Sequence, residues 1–192
     1  MKKLVFASNN PNKLKEIQDV LVNVEILSLK DIKCFDELPE TQDTLEGNAF
    51  QKAQYVKDNY GFDCFADDTG LMVEALDGRP GVYSARYAGP DCSSEDNMDL
   101  LLKELSEKDN RKAKFSTVIA LVTEHDQQSF EGSVEGVILE ARIGSEGFGY
   151  DPVFKPESYE VSFAEMSTFD KNKISHRGRA VKKFSEYLNE RT

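Results

Sequence analysis

Apolar positions in the first third of the chain alternate between two rhythms. Short apolar runs at residues 3–7 and 24–27 read as buried strands, while Leu14, Ile17 and Leu21 recur at helical spacing between them. The pattern predicts a helix over residues 13–21. A polar stretch, 31–43, leads into a second helix over about 45–59, with Ala49, Ala53 and Val56 on one face. Cys64-Phe65-Ala66 reads as a third short strand. Beyond it the rhythm changes. Residues 115–123 are β-rich, and Phe130, Gly132, Val134, Gly136 and Ile138 occupy every second position. His125-Asp126-Gln127-Gln128, between those runs, reads as a hairpin connection. A last helix over about 175–189 carries Val181, Phe184 and Leu188 inward. A parallel-type start followed by hairpins predicts an α/β protein with a mixed sheet.

Composition narrows the class. The 192 residues suit one generous domain, 1–192, or two lobes sharing one sheet. Hydrophobic residues make up 39% and charged residues 31%, enough for a core inside a well-solvated surface. No apolar run approaches the roughly 20 residues of a membrane span, and the first strand is too short for a secretory signal core. Cys34, Cys64 and Cys92 are an odd number with no CxxC pair, which argues against a disulfide framework or a zinc site. A reducing, cytoplasmic setting is expected. The net charge of −11 disfavours a broad grip on nucleic acid. It leaves room for a small anionic ligand gripped by a few converging cations, with a metal ion mediating.

Five stretches carry chemistry. Ser8-Asn9-Asn10-Pro11-Asn12-Lys13 joins a strand to a helix, where free backbone N–H groups and a lysine make an anion site. The same residues would also serve as a turn and helix cap. Asp67-Asp68-Thr69-Gly70 is expected at a strand end. Adjacent carboxylates are costly to hold close without a cation, and hard oxygen ligands suit Mg²⁺. A plain acidic turn with Gly70 at positive φ is the other reading. Glu40, in the polar loop, is a candidate further ligand. Phe148 lies between two glycines and precedes Gly149, Tyr150 and Asp151, a composition that fits a shelf for a nucleobase or a turn with an aromatic plug. Finally, Lys171, Lys173, Arg177 and Arg179 with His176 cluster where the last helix is expected to open. Cations there oppose the helix dipole unless an anionic or carbonyl-rich ligand faces them.

Taken together and in order, SNNPNK, ADDTGL, PGVYSARYAG, GFGYDPVF and ISHRGRA resemble the inosine triphosphate pyrophosphatase family from about Leu4 to Leu188. The resemblance implies an elongated two-lobed α/β fold with a long mixed sheet and a central substrate cleft, assembled as a homodimer. It implies Mg²⁺-dependent hydrolysis of ITP, dITP and XTP between the α and β phosphates. Carried over by position, Ser8, Asn9, Asn10, Pro11, Asn12 and Lys13 hold the triphosphate, and Glu40 and Asp68 coordinate Mg²⁺. Asp68 also accepts a proton, and Thr69 touches substrate. Phe148 stacks on the base with Gly149, Tyr150 and Asp151 beside it, while Lys171, His176 and Arg177 read the base. Ser84 and Arg86 shape the cleft. Gly47 and Glu146 depart from the family's usual residues. Pyrophosphatases of the Maf-like kind are the nearest alternative, but they carry arginine where Lys13 stands and lack the ISHRG stretch. A nucleotide sensor would have no use for the Asp67-Asp68 pair.

Overall fold

In the computed structural model, described for residues 2–18, 20–21 and 24–191, strands and helices alternate at first and hairpins follow. The first strand, β1 (Lys2–Phe6), leads to helix α1 (Pro11–Gln18) and strand β2 (Val24–Leu27). Against the expected 13–21, the helix starts two residues earlier, position 19 lies outside the described residues, and Val20 and Leu21 are turn and irregular backbone. Helix α2 (Leu45–Tyr60) starts on Thr44, whose side chain accepts the Gly47 N–H, and stops at Gly61 with φ of 77°. Strand β3 (Cys64–Val73) is followed by the short β4 (Pro80–Gly81) and helix α3 (Ser94–Glu104). Strands β5 (Lys112–Val122), β6 (Gln127–Ile138) and β7 (Phe154–Pro156) come next, then helices α4 (Thr168–Ile174) and α5 (His176–Asn189).

The strands form one mixed sheet in the order β2-β1-β3-β5-β6-β7, with β4 paired to β3. β1 is parallel to β2 and β3; β3 and β4 are antiparallel, as are β6 and β7. The α/β class and the mixed sheet are thus as the periodicity predicts. The connection expected at 125–128 lies at 123–126 instead, because Gln127 and Gln128 already belong to β6; the Thr123 N–H donates to the Asp126 carbonyl at 2.9 Å across it. Helix α3 escaped the pattern reading, and so did the break between α4 and α5.

The chain divides into two compact units, and the division falls inside β3, β5 and β6. The first unit comprises residues 1–68, 117–132 and 177–192. Side chains alternate across its strands. Leu4, Phe6, Phe65, Ile119 and Leu121 pack against Ile17 of α1 and Val181, Phe184 and Leu188 of α5. Val5, Ala7, Cys64 and Ala66 pack on the other face against Ala53 and Val56 of α2. Both faces of these strands are covered, which explains why their sequences are continuously apolar. The second unit comprises residues 69–116 and 133–176. Its core surrounds Phe115, whose ring lies 4.7 Å from Phe154 and 4.5 Å from the imidazole of His176. Leu71, Val73, Met98, Leu101 and Phe163 complete it.

Candidate active site

Asp67 and Asp68 do not end their strand, as the sequence reading expects; they sit in the middle of β3. The strand continues because Leu71 and Val73 still feed the second unit's core and Leu71 and Met72 pair with β4. Mid-strand, the pleat sends the two carboxylates to opposite faces. Cys64 and Ala66 face α2, and so does Asp68, which accepts from Asn48 Nδ2 at 3.1 Å. Phe65 faces α1 and α5, and so does Asp67, which meets Lys13 of α1 and Arg177 of α5. Gly70 is not among the residues with positive φ, so the acidic-turn alternative falls away.

Asp67 is completely buried. Its Oδ1 accepts from Lys13 Nζ at 3.1 Å and its Oδ2 from Arg177 Nε at 3.3 Å. Burial alone would push its carboxyl up, but Lys13, Arg177 and Lys52 outweigh that and hold it at about 2. Asp68 behaves oppositely. Burial raises it above the usual carboxylate range, against the pull of Lys52 and Lys13. Two neighbours in sequence are thus a permanent anion and a carboxylate with raised proton affinity.

Lys52 reaches across α2's apolar face to the same place. Its Nζ donates to Glu40 Oε1 at 2.5 Å and to the Asp67 carbonyl at 2.8 Å, and stands 3.7 Å from Asp68 Oδ1. Burial depresses its ammonium, but Asp68, Glu40 and Asp67 more than restore it. Lys13 is less well supported. Burial lowers its pKa, and the repulsion of Lys52 and Arg177 works against the attraction of Asp67. An ammonium in that state gains from an additional anion.

The loop before α1 is a cap as well as a candidate anion site. Asn10 Oδ1 accepts the N–H groups of Asn12 and Lys13 at 3.0 and 3.3 Å, Ser8 Oγ accepts the Asn10 N–H, and Pro11 opens the helix. Asn9 and Asn12 are exposed.

Among the described residues no group of three or more His, Cys, Asp or Glu side chains forms a ready metal cage. Glu40 and Asp68 nevertheless converge on one cation, the Lys52 ammonium. Two hard carboxylates able to meet on one positive centre fit Mg²⁺, which takes one or two protein carboxylates and completes its shell with water and phosphate oxygens.

In the second unit the stretch around Phe148 is tightly built. Gly147 and Gly149 have φ of 75° and 64°. A Cβ on Gly147 would lie 2.1 Å from Asp151 Oδ2, so only glycine fits. That oxygen accepts the Phe148 N–H at 2.8 Å and pairs with Lys171 Nζ at 2.6 Å. The Lys171 ammonium is 4.9 Å from the centre of the Phe148 ring, which is half-buried. Tyr150 is a core residue instead of a surface wall. It is buried, and its hydroxyl donates to the Ser84 carbonyl at 2.8 Å. Ser84 in turn accepts the Leu71 N–H and donates to the Gly81 carbonyl, while Arg86 lies over the Tyr83 ring.

The cationic stretch does not open one helix. Lys171 and Lys173 end α4, where the dipole favours cations, and only from His176 does α5 begin. His176 stacks on Phe115 with the rings 11° apart. Arg177 keeps different company from Lys171 and His176: it is buried in the first unit between Asp67 and Glu16. Thr69 is half-buried, next after Asp68 in β3.

Glu16, Asn48 and Lys52 were missed by the sequence reading. A signal was present, because each charge or amide interrupts an apolar helical face: Glu16 beside Ile17, Asn48 beside Ala49 and Lys52 beside Ala53. Polar groups on such a face need partners.

The profile of the Ham1 family matches residues 4–187. The chain belongs to the Ham1 family. It is 56% identical to a dITP/XTP pyrophosphatase of Flavobacterium johnsoniae over 97% of each chain. It is 54% identical to one of Porphyromonas gingivalis over 98% of each. Among solved structures, the Ham1 protein of Staphylococcus aureus superposes with a TM-score of 0.92 at 34% identity, covering 100% of both chains. A HAM1 protein of Coxiella burnetii gives 0.92 at 35%, covering 99% of this Ham1-family chain and all of the other.

Proposed function

We propose that this protein hydrolyses ITP, dITP and XTP to the nucleoside monophosphate and pyrophosphate, clearing purine triphosphates outside the standard set. The observation that carries the reading is the group of charges along mid-β3 in the first unit: Lys13 holds the Asp67 carboxylate, while Lys52 bridges the Asp67 carbonyl, Asp68 and Glu40. The names of the Flavobacterium and Porphyromonas relatives support it.

Lys13, with its poorly supported ammonium, takes a phosphate oxygen together with backbone N–H groups and the polar side chains of residues 8–12. Asp67, held anionic, fixes Lys13 by its hydrogen bond. Glu40 and Asp68 would hold Mg²⁺, which supplies neutralisation of the triphosphate charge and polarisation of water. Asp68, its proton affinity raised by burial, accepts the proton of the attacking water. Asn48 orients its carboxylate, and Thr69 contacts substrate. Phe148 offers a ring to the base, on a loop held by Asp151 and Lys171. His176 and Lys171 face the 6-oxo group, which accepts a hydrogen bond where adenine's amino group cannot. An unpaired buried donor costs roughly 1–3 kcal/mol, so several such contacts reject ATP strongly. The sequence expectation gives Arg177 the same base-reading part; its contacts to Asp67 and Glu16 favour a bracing one. We further propose a cytoplasmic homodimer of one ITPase-like domain spanning residues 1–192. No helix among the described residues is long and apolar enough to cross a membrane.

The test is anion-exchange analysis of products from ITP, XTP, GTP, ATP and dCTP, with and without Mg²⁺. Monophosphate and pyrophosphate from ITP and XTP, only with Mg²⁺ and with little from ATP or GTP, is the expected result. Diphosphate and phosphate would mean that the wrong bond is cleaved, and no turnover would favour a sensor.

A further inference from the structure

Four charges in the first unit form a chain. Lys13 Nζ donates to Asp67 Oδ1 at 3.1 Å, and Arg177 Nε donates to Asp67 Oδ2 at 3.3 Å. Arg177 Nη1 donates to Glu16 Oε2 at 2.5 Å. The two ends of the chain, Lys13 and Glu16, both stand on α1. The charges alternate in sign along it. Lys13 is the most exposed member, with 16% of its side chain accessible; Asp67, Arg177 and Glu16 have 0%, 2% and 6%. The chain therefore has one end toward solvent and three members in the interior.

We propose that Glu16 is a positioning residue, which holds Lys13 in register for the substrate's phosphates by acting through Arg177 and Asp67. The inference rests on the reading of Lys13 as a phosphate ligand. Without the Glu16 charge, the guanidinium has Asp67 as its remaining counter-charge in the chain, and that carboxylate rotates toward it. Lys13 then loses the acceptor that fixes its ammonium. A planar, two-edged guanidinium transmits orientation in this way because its N–H groups diverge at fixed angles.

The experiment measures KM and kcat for ITP, and the dissociation constant of magnesium pyrophosphate by calorimetry. Enzymes compared are the wild type, Glu16→Gln, Glu16→Asp, Lys13→Met and the Glu16→Gln/Lys13→Met double variant, each with its thermal midpoint. Glu16→Gln should weaken pyrophosphate binding and raise KM by about tenfold, with kcat changed less than about threefold. Glu16→Asp should recover most of the loss. In the Lys13→Met background the Glu16→Gln change should add less than about twofold. A folded Glu16→Gln enzyme with unchanged pyrophosphate affinity would overturn the proposal, as would a full additional loss on top of Lys13→Met. Should Glu16→Gln fail to fold, Arg177→Lys takes its place in the same cycle, because it keeps the charge but removes the two-edged geometry. Additive losses there overturn the proposal equally. A wild-type enzyme that binds pyrophosphate but turns over no ITP would sink the functional reading and leave this one standing.

Discussion

Asp67 and Asp68 show how neighbouring residues of one type acquire different chemistry. The β pleat gives each its own set of partners, and the partners set the charge. Asp67 meets Lys13 and Arg177 and stays anionic at any working pH. Asp68, buried beside Asn48, has its proton affinity raised by burial, as the proposed general base requires. Asp68→Asn keeps the shape and can still be held by Asn48 but accepts no proton. It should abolish ITP turnover while circular dichroism and thermal midpoint remain close to wild type; near-normal kcat would remove Asp68 from the mechanism. Arg177→Ala tests bracing against base reading. Opening a buried charge cluster costs about 3–5 kcal/mol, so a lower thermal midpoint is expected. The surviving activity should fall by the same factor for ITP and ATP, whereas a loss confined to ITP would make Arg177 a reader of the base.

Among the elements, α3 and the loop at 144–151 make a useful contrast, since one supports the fold and the other carries the proposed base shelf. α3 starts with a complete capping box, in which Ser93 Oγ accepts the Asp96 N–H and Asp96 accepts the Ser93 N–H. Ser93→Ala should cost about 1 kcal/mol of stability in a denaturant titration and leave ITP kinetics unchanged. Gly147→Ala differs. The added Cβ would meet Asp151 Oδ2, the oxygen that also holds Lys171 and the Phe148 N–H. We expect KM for ITP to rise by about tenfold through loss of the Phe148 shelf, roughly the effect of one to two hydrogen bonds. An unchanged KM would mean that Phe148 takes no part in binding. The break between α4 and α5 belongs at this scale too. Ser175 has an extended backbone, φ −69° and ψ 160°, so the helices are separate and Lys171 ends one instead of beginning the other.

For the molecule as a whole, the thiols report which surfaces are open. Cys64 and Cys34 are 0% and 3% exposed, and burial pushes the Cys64 thiol far above its ordinary range; Cys92 is half-exposed. One thiol per chain, Cys92, should react with a maleimide in native buffer, and all three in denaturant, as read by intact mass. Fast native labelling of Cys64 would contradict the packing of β3 against α2. What the sequence by itself determined were the features that depend on near neighbours. The period of Leu14 and Ile17, the alternation through Phe130–Ile138, the turn and cap residues before α1 and the order of five motifs all express local geometry. The class, the sheet and the approximate helices follow from them. Tertiary structure decided which charges meet. Glu16 and Arg177 are 161 positions apart, and Lys13 and Asp67 are 54 apart. Nothing within a helical turn or a strand pair records such a distance. The extension of β3 past its acidic pair was likewise set from outside, because Leu71 and Val73 find a core supplied by α3, β5 and β6. Local propensity stops at the first charged residue, but burial with a matching counter-charge carries the strand through it.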